Sequence, residues 1–256
     1  MLILSLWERN AVRTLRLLTW NVHRCLGTDG RISTRRIADV IAVAKPDIVA
    51  LQEVDVLRKR TGHVDQAEEI ASVLGMTAHF HNNLRVLEEQ YGDAILTELP
   101  SCLIHAGRLP GSPGLRNIEP RGALWAQIDL DGVSLNIINT HLSLIARERR
   151  FQTECLMGPD WLGSQACTGP TVLLGDFNLV PRSRVYQNLT KHLQDAQRAP
   201  GMGRTQPTFP AGFPVLRIDH VFTRGPIKVT HVEVIRDTIT RVASDHLPLV
   251  VDLEIG

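Results

Sequence analysis

Six short polar islands, each set in or just after an apolar run, constrain this chain more than its composition does. They are TWNVH at 19–23, LQEVD at 51–55, NTHL at 139–142, LLGDFN at 173–178, RIDHVF at 217–222 and ASDHLPL at 243–249. An apolar strand that stops at a polar residue delivers that side chain to the edge of a sheet. Six such strands ask for a β-scaffold whose ends meet in one cleft. The delivered set is rich in carboxylates, amides and imidazoles, groups that suit a hard divalent cation and a phosphate.

The segments between the islands show two periodicities. Leu15–Val22 reads as a strand. Ile37, Val40, Ile41 and Ala44 then form a helical stripe, with Ser33 or Thr34 at its start and Pro46 beyond its end. Asp47–Gln52 is the next strand, so the opening is strand–helix–strand. Ala67, Ile70, Ala71 and Leu74 mark a second helix, which Gly75 ends. Met76–His81 and Ala94–Leu99 are expected as strands. Gly122–Leu130 and Val133–Leu142 are expected as a hairpin turned by Asp131-Gly132. A helix from about Ala146 should break at Gly158-Pro159. Thr171–Leu174 (strand), Arg182–Leu193 (helix) and three strands at Arg217–Thr223, Lys228–Ile235 and Leu247–Glu254 complete the pattern. Hairpins combined with helices predict a mixed-sheet α/β protein rather than a purely parallel one. No repeat or linker interrupts the 256 residues, which suit one domain over 1–256 with its core at about 15–255. The loop 198–214 carries Pro200, Pro207, Pro210 and Pro214 and leads directly into RIDHVF. It reads equally as a lid or substrate contact and as a plain surface loop.

Charge narrows the partners. Lys and Arg number 28 against 27 Asp and Glu, a net charge of +1. Proteins that grip long nucleic acid usually carry a clear basic excess, so nucleic acid is weakly supported as a partner unless a local patch is hidden in the sum. Cys25, Cys102, Cys155 and Cys167 show no CxxC spacing and read as reduced thiols. The apolar opening Met1–Leu6 is interrupted by Trp7-Glu8-Arg9-Asn10 and makes a poor signal peptide, and no run is long enough to span a membrane. The expected location is the cytoplasm.

Within the islands, Glu53 follows an apolar run and is a good ligand for Mg²⁺, which takes few protein carboxylates. Asn21 would hold a metal-bound water or a phosphate oxygen, or else make a structural hydrogen bond. Asp176 and Asn178 flank Phe177; if that segment is extended, both side chains share a face. Asp176 could then take a proton from an attacking water while Asn178 orients the water or the phosphate. Asp219 is expected to fix the tautomer of His246 through Nδ1 and to favour its imidazolium form. His141 is expected as a second imidazole on the phosphate side.

In this order, with GDFN and SDHLP nearly verbatim, the islands resemble the endonuclease/exonuclease/phosphatase superfamily, the deoxyribonuclease-I-like hydrolases. The resemblance runs from about Leu15 to Ile255 and is specific for the superfamily but not for substrate. It implies a four-layer α/β sandwich, two packed mixed sheets with helices outside, with the active site where strand ends meet. It implies Mg²⁺, with Mn²⁺ as the alternative, at Glu53 as main ligand, with Asn21 and Asp245 close to the metal or its waters. It further implies Asp176 as base, Asn178 as positioning amide, His141 and His246 as phosphate contacts, and Asp219 as partner of His246. The implied chemistry is direct attack of water on phosphorus, with the metal as Lewis acid.

Three departures bear on substrate. AP endonucleases in this superfamily usually carry Asp two residues after the first Asn, where this chain has His23. The WCDR motif of inositol phosphatases is missing around Asp219. WNVHRxxGxDGR at 20–31 is similar to a bacterial branch of uncertain substrate in which YGNAIL is common; here the segment is YGDAIL, and Asp93 would repel a phosphate unless paired. Arg121 is the candidate partner, for Asp93 or for phosphate. The expected activity is a metal-dependent phosphodiesterase, acting on nucleic acid or, as the alternative, on a lipid or small-molecule phosphoester. A lipid-facing form should expose an apolar hairpin, for which 208–213 is the candidate. A dead scaffold serving as a binding module would have lost ligand or base residues, and all are present.

Overall fold

The computed structural model describes residues 12–111 and 119–256. The apolar opening at 1–6 lies outside the described residues. In chain order the elements are β1 (Arg13–Asn21), α1 (Thr34–Ala44), β2 (Ile48–Val56), α2 (Gln66–Leu74), β3 (Thr77–Val86), β4 (Glu89–Thr97), β5 (Ser101–Arg108), β6 (Gly122–Leu130) and β7 (Val133–His141). They continue with α3 (Ala146–Leu156), β8 (Thr171–Asp176), α4 (Arg184–Leu189), β9 (Gln194–Asp195), β10 (Asp219–Arg224), β11 (Ile227–Val234), α5 (Thr240–Ala243) and β12 (Leu249–Ile255).

The strands form two six-stranded mixed sheets, ordered β11-β12-β1-β2-β4-β3 and β5-β6-β7-β8-β10-β9. Alternation along each strand sends side chains to two cores. Leu15 and Leu17 of β1 join Ile48, Ala50, Leu124, Ile137, Val172 and Leu174 between the sheets. Leu18 and Trp20, one residue out of phase, pack under α1 and α2 with Ile37, Ile41 and Ile70. Trp125, Ile138, Leu173 and Phe222 face the other way, toward Leu156, Trp161 and Leu189 of the α3–α4 layer. The result is the expected four-layer sandwich. Helix signals act as the sequence predicts. Ser33 caps α1 by accepting from Arg36 N at 3.1 Å, and Gly75 ends α2 at φ 71°. The Asp131-Gly132 turn takes positive φ at both residues (50° and 91°), as a two-residue hairpin needs.

Two parallel pairs place the cleft. β1 runs beside β2 in one sheet and β7 beside β8 in the other. Their C-terminal ends meet the N-terminal ends of the antiparallel strands β10 and β12, so Asp219 pairs directly with Asp176.

Three expectations need correction. β2 does not stop at Gln52; it runs to Val56, with Glu53 inside it at φ 60°. Leu51 pairs with Ala94 and Val54 with Gly92, so Gln52 and Glu53 together oppose Asp93. This β-bulge, rather than a strand end, turns Glu53 out of the ladder. Asn178 is not extended: β8 ends at Asp176, and Asn178 sits at φ 50°. A further strand, β5, lies on the edge of its sheet, where exposed Cys102, Leu103 and Ile104 blur its alternation.

Candidate active site

Asp176 is the hub. Its carboxylate is buried, 1% exposed, at the end of β8. Oδ1 accepts from the backbone N–H of Asn178 at 2.9 Å, a bond that the left-handed turn at Asn178 makes possible. Oδ2 accepts from Asn21 Nδ2 at 3.0 Å and faces His141 Nε2 at 3.4 Å and His246 Nε2 at 3.7 Å. Burial pushes the Asp176 carboxyl up to about 7, against the His246 charge and the hydrogen bonds, which pull it down. The same Asn21 Nδ2 donates to Glu53 Oε1 at 3.0 Å, so one amide joins the two carboxylates. Asn21 Oδ1 accepts from His23 N, and Ser244 Oγ donates to Asn21 O at 2.7 Å, which docks the 244–246 segment on β1.

The two imidazoles differ in charge state. His246 Nδ1 lies 3.0 Å from Asp219 Oδ2 and 3.2 Å from Oδ1, the pairing the sequence predicts. Burial opposes its charge, but Asp219 and Asp176 together outweigh burial and raise it to about 10. Thr208 Oγ1 donates to the same Oδ2 of Asp219, and the Phe209 ring lies 4.7 Å from that of His246. The loop 198–214 is therefore a wall of the cleft. Burial, then Arg121 and His246, hold His141 well below its ordinary value, so it is neutral. Arg121 Nη1 lies 3.1 Å from His141 Nδ1. A guanidinium only donates, so Nδ1 accepts and the His141 proton sits on Nε2, aimed at Asp176. Asn178 Nδ2 lies 3.2 Å from that Nε2, but its donation goes to Leu142 O at 3.0 Å.

The structure thus brings together Asn21, Glu53, His141, Asp176, Asn178, Asp219 and His246, with Arg121 behind His141. Arg121 is not the hydrogen-bonding partner of Asp93: its carboxylate contact is Glu119 at 3.7 Å, and Asp93 accepts instead from Asn83 Nδ2 at 2.8 Å. Burial pushes the Asp93 carboxyl up to about 7, which lessens the repulsion an ionised Asp would exert there. Asp245 stands apart, its side chain 40% exposed, with Oδ1 3.8 Å from His23 Nδ1. Ser244 contributes to the site without having been singled out, and Thr208 and Phe209, expected only as part of the 198–214 loop and of a lipid-facing hairpin, contact Asp219 and His246. Ser244 lies inside ASDHLPL, and the other two open the apolar stretch before RIDHVF, so position relative to the islands was the available signal.

A sequence profile of the Endonuclease/Exonuclease/phosphatase family matches residues 18–246. The chain belongs to that family. Its members are hydrolases, typically dependent on a divalent metal. The Escherichia coli K12 protein YbhP is 25% identical over 252 residues, covering 94% of this chain and 97% of YbhP. A family member from Bacteroides thetaiotaomicron superposes with a TM-score of 0.77 at 20% identity, over 96% of this chain and 99% of that one. The mannosyl-6-phosphatase Bt3783 of the same organism gives 0.76 at 20% identity, over 93% and 99%.

Two donor sets bear on the metal this family uses. Ligand atoms of Asp176, Asp219 and His246 lie within 4.8 Å of one another. In that set, His246 Nδ1 and Asp219 are already committed to each other and to Thr208. The second set is Glu53 with the Asn21 carbonyl. Glu53 is 20% exposed at its side chain, and its Oε2 has no protein partner among the described residues. The Asn21 carbonyl already accepts from His23 N, so the free, part-exposed Glu53 carboxylate oxygen is the donor that fits a hard cation better. No helix among the described residues is long and apolar enough to cross a membrane.

Proposed function

We propose that this protein is a phosphodiesterase, dependent on Mg²⁺ or Mn²⁺, that works by direct attack of water on phosphorus. The observation that carries the reading is the buried Asp176 carboxylate, tied through Asn21 to Glu53 and faced by one neutral and one cationic imidazole. Glu53, with Asn21 beside it, would hold the cation, which would supply Lewis-acid neutralisation of phosphoryl charge. Asp176 accepts a proton from the attacking water as its oxygen bonds to phosphorus and the bond to the leaving oxygen breaks; a carboxyl raised to about 7 is matched to that task. His246, kept protonated by Asp219 at Nδ1, meets the charge that builds on the phosphoryl oxygens through its Nε2–H. His141 through Nε2–H, and Asn178 through the Nδ2 hydrogen not given to Leu142 O, would orient the phosphate, and Arg121 adds charge from behind His141.

A second reading, a lipid-like diester, is favoured by Phe213 and Val215. They are exposed at 74% and 58% in the loop closed by the Phe209–Leu216 bridge, next to the cleft wall. Near-neutral net charge disfavours long nucleic acid. The test compares bis-p-nitrophenyl phosphate with p-nitrophenyl phosphate in Mg²⁺, Mn²⁺ and EDTA. Metal-dependent cleavage of the diester is the expected result. Preference for the monoester would replace the reading with a phosphatase, and activity that survives EDTA would remove the metal from it.

A further inference from the structure

The groups that meet in the cleft arrive on two separate sheets. Glu53 comes from one, on a bulge; His141 and Asp176 come from the other. One side chain spans the gap at the bulge itself. Asn139 lies in β7, fully buried, two residues before His141. Its Nδ2 donates to Leu51 O and to Ala94 O, both at 2.9 Å, and its Oδ1 accepts from Gln52 Nε2 at 2.8 Å. Leu51 and Ala94 form the last regular pair before the bulge, and Gln52 is its first residue. Gln52 Nε2 also reaches Thr19 Oγ1 of β1 at 3.0 Å. A single amide from the opposite sheet thus holds both strands of the bulge and, through Gln52, the neighbouring strand.

We propose that Asn139 is a positioning residue: it clamps the β2 bulge and thereby sets the direction in which Glu53 enters the cleft. The proposal rests on the reading of Glu53 as the metal-binding carboxylate. Three physical facts support it. A bulge disrupts the ladder, so buried carbonyls beside it need partners from elsewhere. Glu53 is held at φ 60°, a conformation that persists in a non-glycine residue only when its surroundings over-determine it. The fit is also specific to this amide. Ser would not reach both carbonyls, Leu would give nothing to them, and Asp would set an acceptor against them. β8 makes room from the far side, because a Cβ on Gly175 would stand 3.1 Å from Asn139 Oδ1 and 1.9 Å from Thr140 O. Packing alone does not explain an amide here, since the surrounding contacts between the sheets are apolar.

The experiment uses the full chain. Mn²⁺ affinity is measured by calorimetry, and hydrogen exchange is followed over residues 51–54 and 92–94. Asn139→Ser is the first variant, because it leaves space for water to reach the carbonyls. Gln52→Met, which removes only one arm of the clamp, is the second and decides the matter if the first does not fold. The expected result is Mn²⁺ binding weakened by about 10–100-fold, the usual size of outer-shell effects, with faster exchange confined to the bulge. Ile137→Ala, a cavity two residues along the same strand that removes none of the Asn139 hydrogen bonds, should lower the melting temperature yet leave both readouts unchanged. Added to Glu53→Ala, Asn139→Ser should cost no further affinity. Wild-type affinity and exchange in a folded variant would overturn the proposal, as would the same changes in Ile137→Ala. If Glu53→Ala itself bound Mn²⁺ normally, the metal reading of Glu53 would fall. Exchange would then decide on the clamp alone, with unchanged protection overturning it.

Discussion

Asp219→Asn separates the charge of the Asp219–His246 pair from its hydrogen bond. Asn can keep an oxygen at the position of Oδ2, where Thr208 Oγ1–H and His246 Nδ1–H both meet it, with its amino group in place of Oδ1. Only the charge is lost. In the wild type, His246 stays protonated to about pH 10 because Asp219 and Asp176 outweigh its burial. With Asp219 neutralised, burial is opposed mainly by Asp176, and His246 should lose its proton near neutrality. The phosphate then loses a cationic donor, worth roughly 3 kcal/mol, or 10²–10³-fold in kcat/KM at pH 7. The loss should shrink as pH falls. Asp176, with its carboxyl raised to about 7, must however be deprotonated to act as base, so the variant's pH–rate profile should narrow to a low bell displaced to acid. Linkage adds a second readout. A folded-state value above the unfolded one contributes stability that is fully present below about pH 6.5 and lost as pH rises through about 10. The variant should therefore be less stable at pH 7 and lose less stability on going to alkaline pH. The assay is bis-p-nitrophenyl phosphate hydrolysis across neutral and alkaline pH, beside urea unfolding. A profile parallel to wild type, or kcat/KM within about threefold of wild type at pH 7, would refute the reasoning.

Glu53→Ala and Asp176→Ala should each lower diester hydrolysis by at least roughly 10²-fold with an unchanged circular dichroism spectrum; wild-type-like turnover in either would remove that residue from the chemistry. Arg121→Ala frees His141 Nδ1 from its donor, so the imidazole can adopt the other tautomer and turn its proton away from Asp176. Steady-state kinetics should show kcat reduced by about 10–100-fold, and an unaffected kcat would sink the tautomer argument. His220 is fully buried, and burial, then Arg217, depress it to about 4. Its contribution to stability is present above about pH 6.5 and lost as pH falls toward 4, a span worth about 3 kcal/mol. His220→Phe should flatten the stability–pH slope in that window, measured by urea unfolding, and an unchanged slope would count against the depression.

The sequence makes the strand ends legible because an apolar run closing on a polar residue is a local signal. Asn21, His141 and Asp176 close their strands as the islands predict, whereas Asp219 opens β10 and His246 precedes β12, and the mixed-sheet sandwich follows from the same runs. Glu53 was found for the wrong local reason. A bulge is set by pairing with β4, which no window along β2 can show. Asn178 likewise reaches the site through a left-handed turn stabilised by Asp176, where two-residue alternation predicted an extended chain. Arg121 and Asp93 look like a charge pair in sequence, yet Asn83 takes Asp93 and His141 takes Arg121, because pairing in the interior follows geometry across β3, β4, β6 and β7. His220 sits beside Asp219, but strand alternation sends it to the opposite face, where Arg217 Nη2 lies 3.1 Å from its Nδ1 and Leu179 O 2.7 Å from its Nε2. Adjacency in an Asp-His dipeptide says nothing of which half turns inward.

β12 lies beside β1 near the middle of its sheet, and its approach carries His246 onto a strand made at the other end of the chain. During synthesis, Asn21, Glu53, His141, Asp176 and Asp219 would all have emerged while the slot beside β1 still stood empty. Assembly of the hydrolytic centre is thereby tied to closure of the sheet by its last strand. On the proposed reading, a nascent or prematurely terminated chain lacking that segment would have no imidazolium to set against Asp176 and would be inactive.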